Sequence, residues 1–144
     1  MPFKKIIAVL IPILILLSLL IFSLVRYLNT NRDILIDEAK IVTGVDSQML
    51  PIKVTDFFPK NTEKVSAWIS WRDAKINTQI LVKWHYITDD IPIYNYTLSI
   101  PKKEGVASVV LAMPEGKTLP SGLYKVDILL GKKRLVETLT FEIQ

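Results

Sequence analysis

The chain divides into an uncharged apolar run and a longer region in which apolar and polar residues alternate. Residues 6–25 read IIAVLIPILILLSLLIFSLV, and seventeen of these twenty are Ala, Val, Ile, Leu or Phe. At 1.5 Å per residue, a helix of this length spans about 30 Å, which is the hydrocarbon thickness of a bilayer. The run therefore predicts a transmembrane helix over residues 6–28.

Two other interpretations of the apolar run stay open. A cleaved signal peptide has an apolar core of about 7–15 residues followed by a small-x-small cleavage site, and the exit Ile-Phe-Ser-Leu-Val-Arg-Tyr contains no such pair. A buried helix of a globular domain is seldom apolar on all sides over this length. We therefore expect an uncleaved, single-pass anchor in the cell membrane.

The basic residues that flank the run bear on its orientation. Residues 1–5 contain two lysines, and three basic residues follow the run by position 40, so a simple count favours neither side. A short tail with two lysines is not easily carried across a membrane, whereas long domains cross largely regardless of charge. We expect a cytoplasmic tail at residues 1–5 and an extracytoplasmic C-terminal domain, with the reverse orientation left open.

Beyond the anchor, apolar residues recur mainly at every second position. Alternating segments cover residues 64–71, 78–86, 94–100, 109–113, 124–130 and 135–143. Such alternation is typical of strands with one buried and one solvated face, and Pro-, Gly- or Asp-containing turn signals separate the segments. Residues 29–37 are expected to form a stalk. Glu38–Val45 supplies a further strand, although a helix over Ile34–Val42 is an alternative. The pattern predicts an antiparallel β-sandwich of seven or eight strands over residues 38–144.

Aromatic residues are the most distinctive members of these segments. Tyr94 and Tyr96 fall on the apolar face of one predicted strand, and Trp84 falls on the apolar face of another. Trp68 is out of phase with Trp71, which predicts an exposed tryptophan on the opposite face. Exposed aromatics on a sandwich offer a binding surface, whereas the simpler interpretation places most of this set in the core.

The C-terminal segment carries a resemblance. It contains a Pro-x-Gly-x-Tyr turn at Pro120–Tyr124, a Gly-Lys turn at 131–132, and a last strand that ends Phe-x-Ile. This resembles the closing hairpin of an uncharacterised family of exported or membrane-anchored bacterial immunoglobulin-like domains, and the similarity extends over most of residues 38–144. The resemblance implies an immunoglobulin-like fold and no particular reaction. It also implies that Trp84 is the core tryptophan and that the Tyr124 hydroxyl pins a tyrosine corner.

The net charge of +4 does not indicate a nucleic-acid partner. Four of the eighteen basic residues flank the apolar run, and the remaining fourteen equal the fourteen acidic residues, all of which lie from Asp33 onward. The predicted domain is therefore neutral and lacks the basic surface expected of a phosphate-backbone binder. The chain contains no cysteine, which excludes disulfides and thiolate metal sites.

No residue pattern points to catalysis, a cofactor or a metal. His85 is the single histidine and lies on the polar side of its strand, where it is either a solvated residue or a functional one. Asp89 and Asp90 lack the spaced oxygen ligands of a calcium loop and fit a turn better. The glycines are scattered and form no phosphate-binding loop. We therefore expect a protein that is not an enzyme.

The remaining candidates are surfaces. Trp68 and the basic turn Lys132–Arg134, which includes Lys133, are the candidate interaction residues. The sequence favours a non-catalytic interaction module, as an accessory subunit or scaffold of a membrane or envelope complex. Its partners would be the bilayer, through residues 6–28, and an unidentified protein. The alternative is a glycan- or ligand-binding domain that uses exposed aromatics near Trp68.

Overall fold

The computed structural model describes residues 3–30, 35–131 and 133–144, with the side chains of residues 3–10, 28–30 and 35 left out. The chain forms two compact units, Met1–Asp33 and Ile34–Gln144. The second unit begins four residues before the domain boundary expected at residue 38.

The first unit contains a helix, α1, which runs from Phe3 to Thr30 and includes Pro12. A helix was predicted here, and Phe3–Lys5 of the expected tail belong to it. The described side chains from Ile11 to Tyr27 are all exposed. Within the described residues, no helix reaches the length and hydropathy required to cross a membrane.

The second unit is built from strands, which follow the segments predicted from the period-two pattern. The described strands are β1 (Leu35–Val42), β2 (Phe57–Phe58), β3 (Lys64–Arg72), β4 (Gln79–Tyr86), β5 (Ile91–Ser99), β6 (Gly105–Ala112), β7 (Gly122–Leu130) and β8 (Arg134–Ile143). A 3₁₀ turn at Pro114–Gly116 follows β6.

The first strand corrects two sequence-based expectations. β1 begins at Leu35, so the last three residues of the expected stalk, 35–37, belong to the sheet, while residues 31–34 lie outside the described residues. The alternative helix over Ile34–Val42 is wrong, because this segment pairs with β3 from Leu35 to Val42. Pairing with a neighbouring strand satisfies the backbone that a lone helix would satisfy internally.

The strands form two sheets. One has three strands in the order β1-β3-β6, and the other has five in the order β2-β8-β7-β4-β5. Neighbouring strands run antiparallel, except that the two-residue β2 lies parallel to the end of β8. The two inner faces pack on each other, and the alternate residues of β4 that face inward are all buried. The result is the two-layer sandwich that the alternation predicts.

The core is centred on aromatic rings. Trp84, 1% exposed, packs edge-to-face on Phe141 with 6.1 Å between ring centroids. Phe141 stacks on Tyr124 at 4.8 Å and receives Phe58 edge-on at 5.7 Å. Offset and edge-to-face rings each add about 0.5–1.5 kcal/mol beyond their buried area. Trp84 and Tyr124, both predicted as core residues, therefore lie at the centre of the sandwich.

Candidate interaction surface

A tyrosine corner holds one end of the five-stranded sheet. The Tyr124 hydroxyl donates a hydrogen bond to the Pro120 carbonyl at 2.5 Å, and the Tyr86 hydroxyl donates to the Ser121 carbonyl at 2.6 Å. Gly122 has φ of 143°, and a Cβ there would lie 2.6 Å from the Tyr86 hydroxyl. Only glycine lets the Tyr86 ring reach the turn, which explains the glycine of the Pro-x-Gly-x-Tyr motif in physical terms.

Next to this corner lies a set of exposed apolar side chains. Tyr94 is 47% exposed and Tyr96 is 40% exposed, and their ring centroids are 6.4 Å apart. Ile91, Ile93 and Met113 are also exposed. We call these five residues the β5 surface. Grouped apolar side chains of this kind are typical of interaction sites.

The β5 surface is open because the two sheets differ in width. Tyr94 and Tyr96 stand opposite Trp84 and Val82 of β4, so all four side chains point to the inner face. The two β4 residues are buried, and the two tyrosines are not. The alternation along β5 thus predicts the correct face but the wrong burial, because the three-stranded sheet does not extend over the outermost strand.

A cleft joins the β5 surface to the tyrosine corner. It has a volume of about 230 Å³. The cleft is lined by Tyr86, Asp89, Ile91, Ile93, Met113, Leu119, Pro120 and Tyr124. Small-molecule sites usually enclose about 300–1,000 Å³. The cleft is therefore better suited to a side chain of a protein partner than to a whole ligand.

The backbone of β5 adds a second feature. Gly131 donates its amide hydrogen to the Gln79 carbonyl, and Ile87 donates to the Leu123 carbonyl. Hydrogen-bonded pairs recur at every second residue, so the odd-numbered residues of β4 bond to β7 and the even-numbered residues bond to β5. Consequently, Asn95 and Thr97 direct their amide and carbonyl groups away from β4, whereas a register shift leaves Ile93 as the extra residue of a β-bulge. We call these backbone groups the β5 edge.

The predicted exposure of Trp68 is wrong. Trp68 is 7% exposed, and its indole N–H donates to the Met49 carbonyl at 2.8 Å. Residues 43–54 fold back through bridges between Val42 and Val54 and between Val45 and Pro51. This loop covers the outer face of the three-stranded sheet, so Trp68 cannot serve as an exposed binding residue.

The turn that connects β7 and β8 contains the other candidates. Lys133 and Arg134 are exposed, and Lys132 lies outside the described residues. The Lys133 amide donates to the Leu130 carbonyl, and Gly131 has φ of 59°, a left-handed conformation that favours glycine. The structure does not bring Lys133 and Arg134 together with Trp68, which is buried under its loop.

His85 is partly buried and has an acidic neighbour. Its Nε2 lies 2.8 Å from the Oδ1 of Asp90. A charged imidazole would form an ion pair there, and a neutral one a hydrogen bond. In the described part of the chain, no three His, Asp or Glu side chains cluster in a way that could hold a metal ion. The pair fixes the turn that leads into β5.

Comparison with known proteins identifies the fold. An immunoglobulin-like protein from Pseudomonas aeruginosa superposes with a TM-score of 0.50 at 13% identity, over 78% of this chain and 97% of that one. A CARDB domain from Pyrococcus furiosus, solved with di-metal ions, gives 0.40 at 14% identity over 81% and 96%. A Listeria innocua beta-glucosidase gives 0.43 at 12% identity over 74% and 16%.

The first of these likenesses shows an immunoglobulin-like sandwich and, at this identity, the fold alone. No protein-family model matches the chain, and no curated protein matches it. The sequence-based prediction of an immunoglobulin-like fold is therefore confirmed. The exported or membrane-anchored family is not part of what the likeness shows.

Sequence reasoning overlooked the β5 surface as a site. The sequence pattern does not distinguish Ile91, Ile93 and Met113 from core residues, and it marks the two tyrosines only as members of an aromatic set. One signal was present, because the nine residues of β5 contain no charged side chain. Edge strands usually carry charges that prevent pairing with other chains. An uncharged strand is therefore notable once it is known to lie at an edge.

Proposed function

We propose that this protein is a non-catalytic interaction module whose immunoglobulin-like domain binds a protein partner through the β5 surface. The observation that carries the proposal is the exposure of Tyr94 and Tyr96 on the inner face of the sandwich. Inner-face residues normally form the core. Two exposed tyrosines beside an apolar cleft supply the rigid, amphipathic contact area that protein interfaces use.

Membrane anchoring is the second part of the proposal, and the sequence supports it. The uncharged run begins at Ile6 and ends at Val25, which is the length that crosses a bilayer. In addition, the described apolar side chains of α1 are exposed on every side. A helix that is apolar all round needs an apolar environment. We place residues 1–5 in the cytoplasm and the domain outside, where it would act as an accessory subunit or scaffold of an envelope complex.

The anchor is tested by extraction. We expect the full chain to stay in the membrane pellet at alkaline carbonate, and a Leu16→Arg/Leu17→Arg variant to appear in the supernatant. Matched Ser18→Ala and Ser23→Ala substitutions should leave the pellet fraction unchanged. For orientation, protease added to intact spheroplasts should degrade the domain. Protection of the domain until the membrane is broken would reverse the proposed topology.

The interaction role is tested by co-purification. The full chain is extracted in mild detergent and isolated together with its bound proteins, in parallel with a Tyr94→Ser/Tyr96→Ser variant. We expect bound partners to fall at least fivefold in the variant. The control is Thr138→Ala, which changes an exposed residue of β8. A chain that carries no partner and no second copy in any detergent tested would contradict the proposal.

The alternative of a glycan- or ligand-binding domain loses the residue on which it was based, because Trp68 is buried. No other observation favours it, since the cleft beside β5 is small and mainly apolar. Glycan sites combine exposed aromatic rings with hydrogen-bonding groups, whereas the Tyr86 and Tyr124 hydroxyls at the cleft already donate to carbonyls, which leaves Asp89 as the charged side chain in its lining.

A further inference from the structure

The β5 edge is an unpaired template for another strand. In the described residues β5 pairs with β4 and lies at the end of its sheet, so Asn95 and Thr97 present free backbone donors and acceptors. An edge strand without charges readily accepts a strand from another chain. Pro92, which has no amide hydrogen, limits this template at its N-terminal end.

Among the described strands longer than two residues, two lack charged residues, and both are edge strands. They are β5 and β6, which end the five-stranded and the three-stranded sheets. What separates them is the charge at their ends. Asp89 and Asp90 precede β5, and Lys102 and Lys103 follow it closely, with Glu104 beyond them. β6 follows the same two lysines, but Glu104 lies next to its start, and Glu115 and Lys117, which have opposite charges, follow its end.

This division of charge selects both the partner and the direction of pairing. When two β5 strands pair antiparallel, the acidic end of each lies beside the basic end of the other, and this favourable contact occurs twice. Parallel pairing would instead place Asp89 and Asp90 beside their own copies. All four charged side chains at these ends are exposed and can meet a second chain. Complementary ends of this kind fix the register of an interface.

We propose that the β5 edge binds a second copy of this chain, antiparallel, about a two-fold axis that passes between the two Asn95 residues. The inference rests on the proposed function and deepens it by naming a partner. In this register Ile93 pairs with Thr97 of the partner copy, and the five-stranded sheet continues into a sheet of ten strands.

The register also brings the exposed tyrosines together. Tyr94 of one copy stands opposite Tyr96 of the other, in pairs that make no backbone hydrogen bonds. Such pairs hold the Cα atoms about 4.5 Å apart, which is the closer of the two antiparallel spacings. Four tyrosines would thus cover one another on the inner face. Cross-strand aromatic pairs contribute favourably to sheet pairing.

Single cysteines test the register, because the chain contains no other thiol. An Asn95→Cys variant of the full chain in mild detergent is oxidised with copper phenanthroline. The two Cα atoms at position 95 should lie about 5.5 Å apart, within the range of a disulfide. We expect most of the chain to run as a covalent dimer. A mixture of Ile93→Cys and Thr97→Cys chains should cross-link as well.

Thr97→Cys alone is the matched control. In the proposed register its two copies are four residues out of line, roughly 13 Å along the strand, so its dimer yield should be at least fivefold lower than that of Asn95→Cys. Equal yields at the two positions would overturn the register. Cross-linking of Val110→Cys in β6 without cross-linking of Asn95→Cys would place the interface elsewhere and overturn the proposal.

A charge swap provides a second test that needs no cross-link. Asn95 faces itself across the axis, so Asn95→Lys and Asn95→Asp each place like charges together. We expect each variant alone to sediment as a monomer in detergent and an equal mixture to recover dimer. If the variants remain dimeric alone, or if the mixture remains monomeric, the two-fold axis at Asn95 is wrong.

The two proposals fail in different ways. If the unmodified chain is monomeric but still binds another protein through Tyr94 and Tyr96, the self-pairing inference is wrong and the proposed interaction module is supported. If the chain dimerises through Asn95 but retains nothing else, self-pairing stands and the role as an accessory subunit falls.

Discussion

Trp68 and the tyrosine pair Tyr94–Tyr96 form an instructive contrast. The alternation of the sequence places Trp68 on the polar side of β3 and the tyrosines on the apolar side of β5. In the folded domain Trp68 is 7% exposed, whereas Tyr94 is 47% exposed. The periodicity assigns each residue to a face, but whether the face is covered depends on other segments of the chain.

The burial of Trp68 and the exposure of the two tyrosines have different physical causes. A loop at residues 43–54 lies over Trp68 and accepts its indole hydrogen at the Met49 carbonyl. For the tyrosines, the opposite sheet has three strands against five and leaves the outermost strand open. An outward-facing aromatic can therefore be part of the core, and an inward-facing aromatic can be part of the surface.

The largest loss of stability is expected at Trp84, an aromatic residue that is fully buried. Trp84→Ala should lower the free energy of unfolding by about 3–5 kcal/mol, because it removes a large ring from the centre of the sandwich. Urea denaturation of the full chain in mild detergent measures the loss. A change below about 1 kcal/mol would show that the ring does not support the core.

Trp68→Ala tests whether the loop makes its residue part of the core. We expect a loss of about 2–4 kcal/mol, from lost packing and from the Met49 carbonyl left without its donor. Tyr94→Ala is the matched control and should change the stability of dilute protein by about 0.5 kcal/mol or less, as at most exposed sites. Equal losses of stability in the Trp68 and Tyr94 variants would contradict the difference in burial between the two residues.

Tyr124 sharpens the comparison between covered and open tyrosines. Burial, with a smaller contribution from Tyr86, raises the pKa of Tyr124 to about 12. An unfolded tyrosine ionises near 10. The folded state therefore keeps the proton longer, and stability is full below about pH 10 and falls as the pH rises toward 12.

The expected alkaline loss from this residue is about 2 kcal/mol over that interval. Denaturation curves at pH 9, 10, 11 and 12 measure it, with Tyr124→Phe as the control, because phenylalanine cannot ionise. The lysines and the tyrosines other than Tyr86 contribute equally to both proteins. Parallel pH profiles for the two would contradict the assignment to Tyr124.

The smallest effect concerns the loop itself. The Asp46 carboxylate accepts hydrogen bonds from the amides of Gln48 and Leu50, which fixes the turn above Trp68. Asp46→Ala should cost about 1 kcal/mol and should speed hydrogen exchange at the Trp68 indole. Asp56→Ala, at another exposed position, is the control. Unchanged exchange in the Asp46 variant would mean that the turn does not hold the cover in place.

Much of the fold follows from local signals. The strands from β3 to β8 overlap the segments that alternation predicts, although β5 and β6 begin three and four residues earlier, and the Pro120–Tyr124 motif predicts the tyrosine corner. The start of β1 is harder to predict, because the sequence of its first residues also fits a stalk. No local signal separates a stalk from an edge strand, since the difference lies in pairing with β3, about thirty positions away.

The sequence by itself determined the apolar run, the neutral charge of the domain, the faces of its strands and the aromatic centre around Trp84. Periodicity and turn chemistry are local properties, so they can be read along the chain. The tertiary structure alone decided that Trp68 is covered and that β5 lies at an open edge. The first outcome depends on a loop that folds back over the sheet, and the second depends on the different numbers of strands in the two sheets. The alternation of residues along a single strand encodes neither.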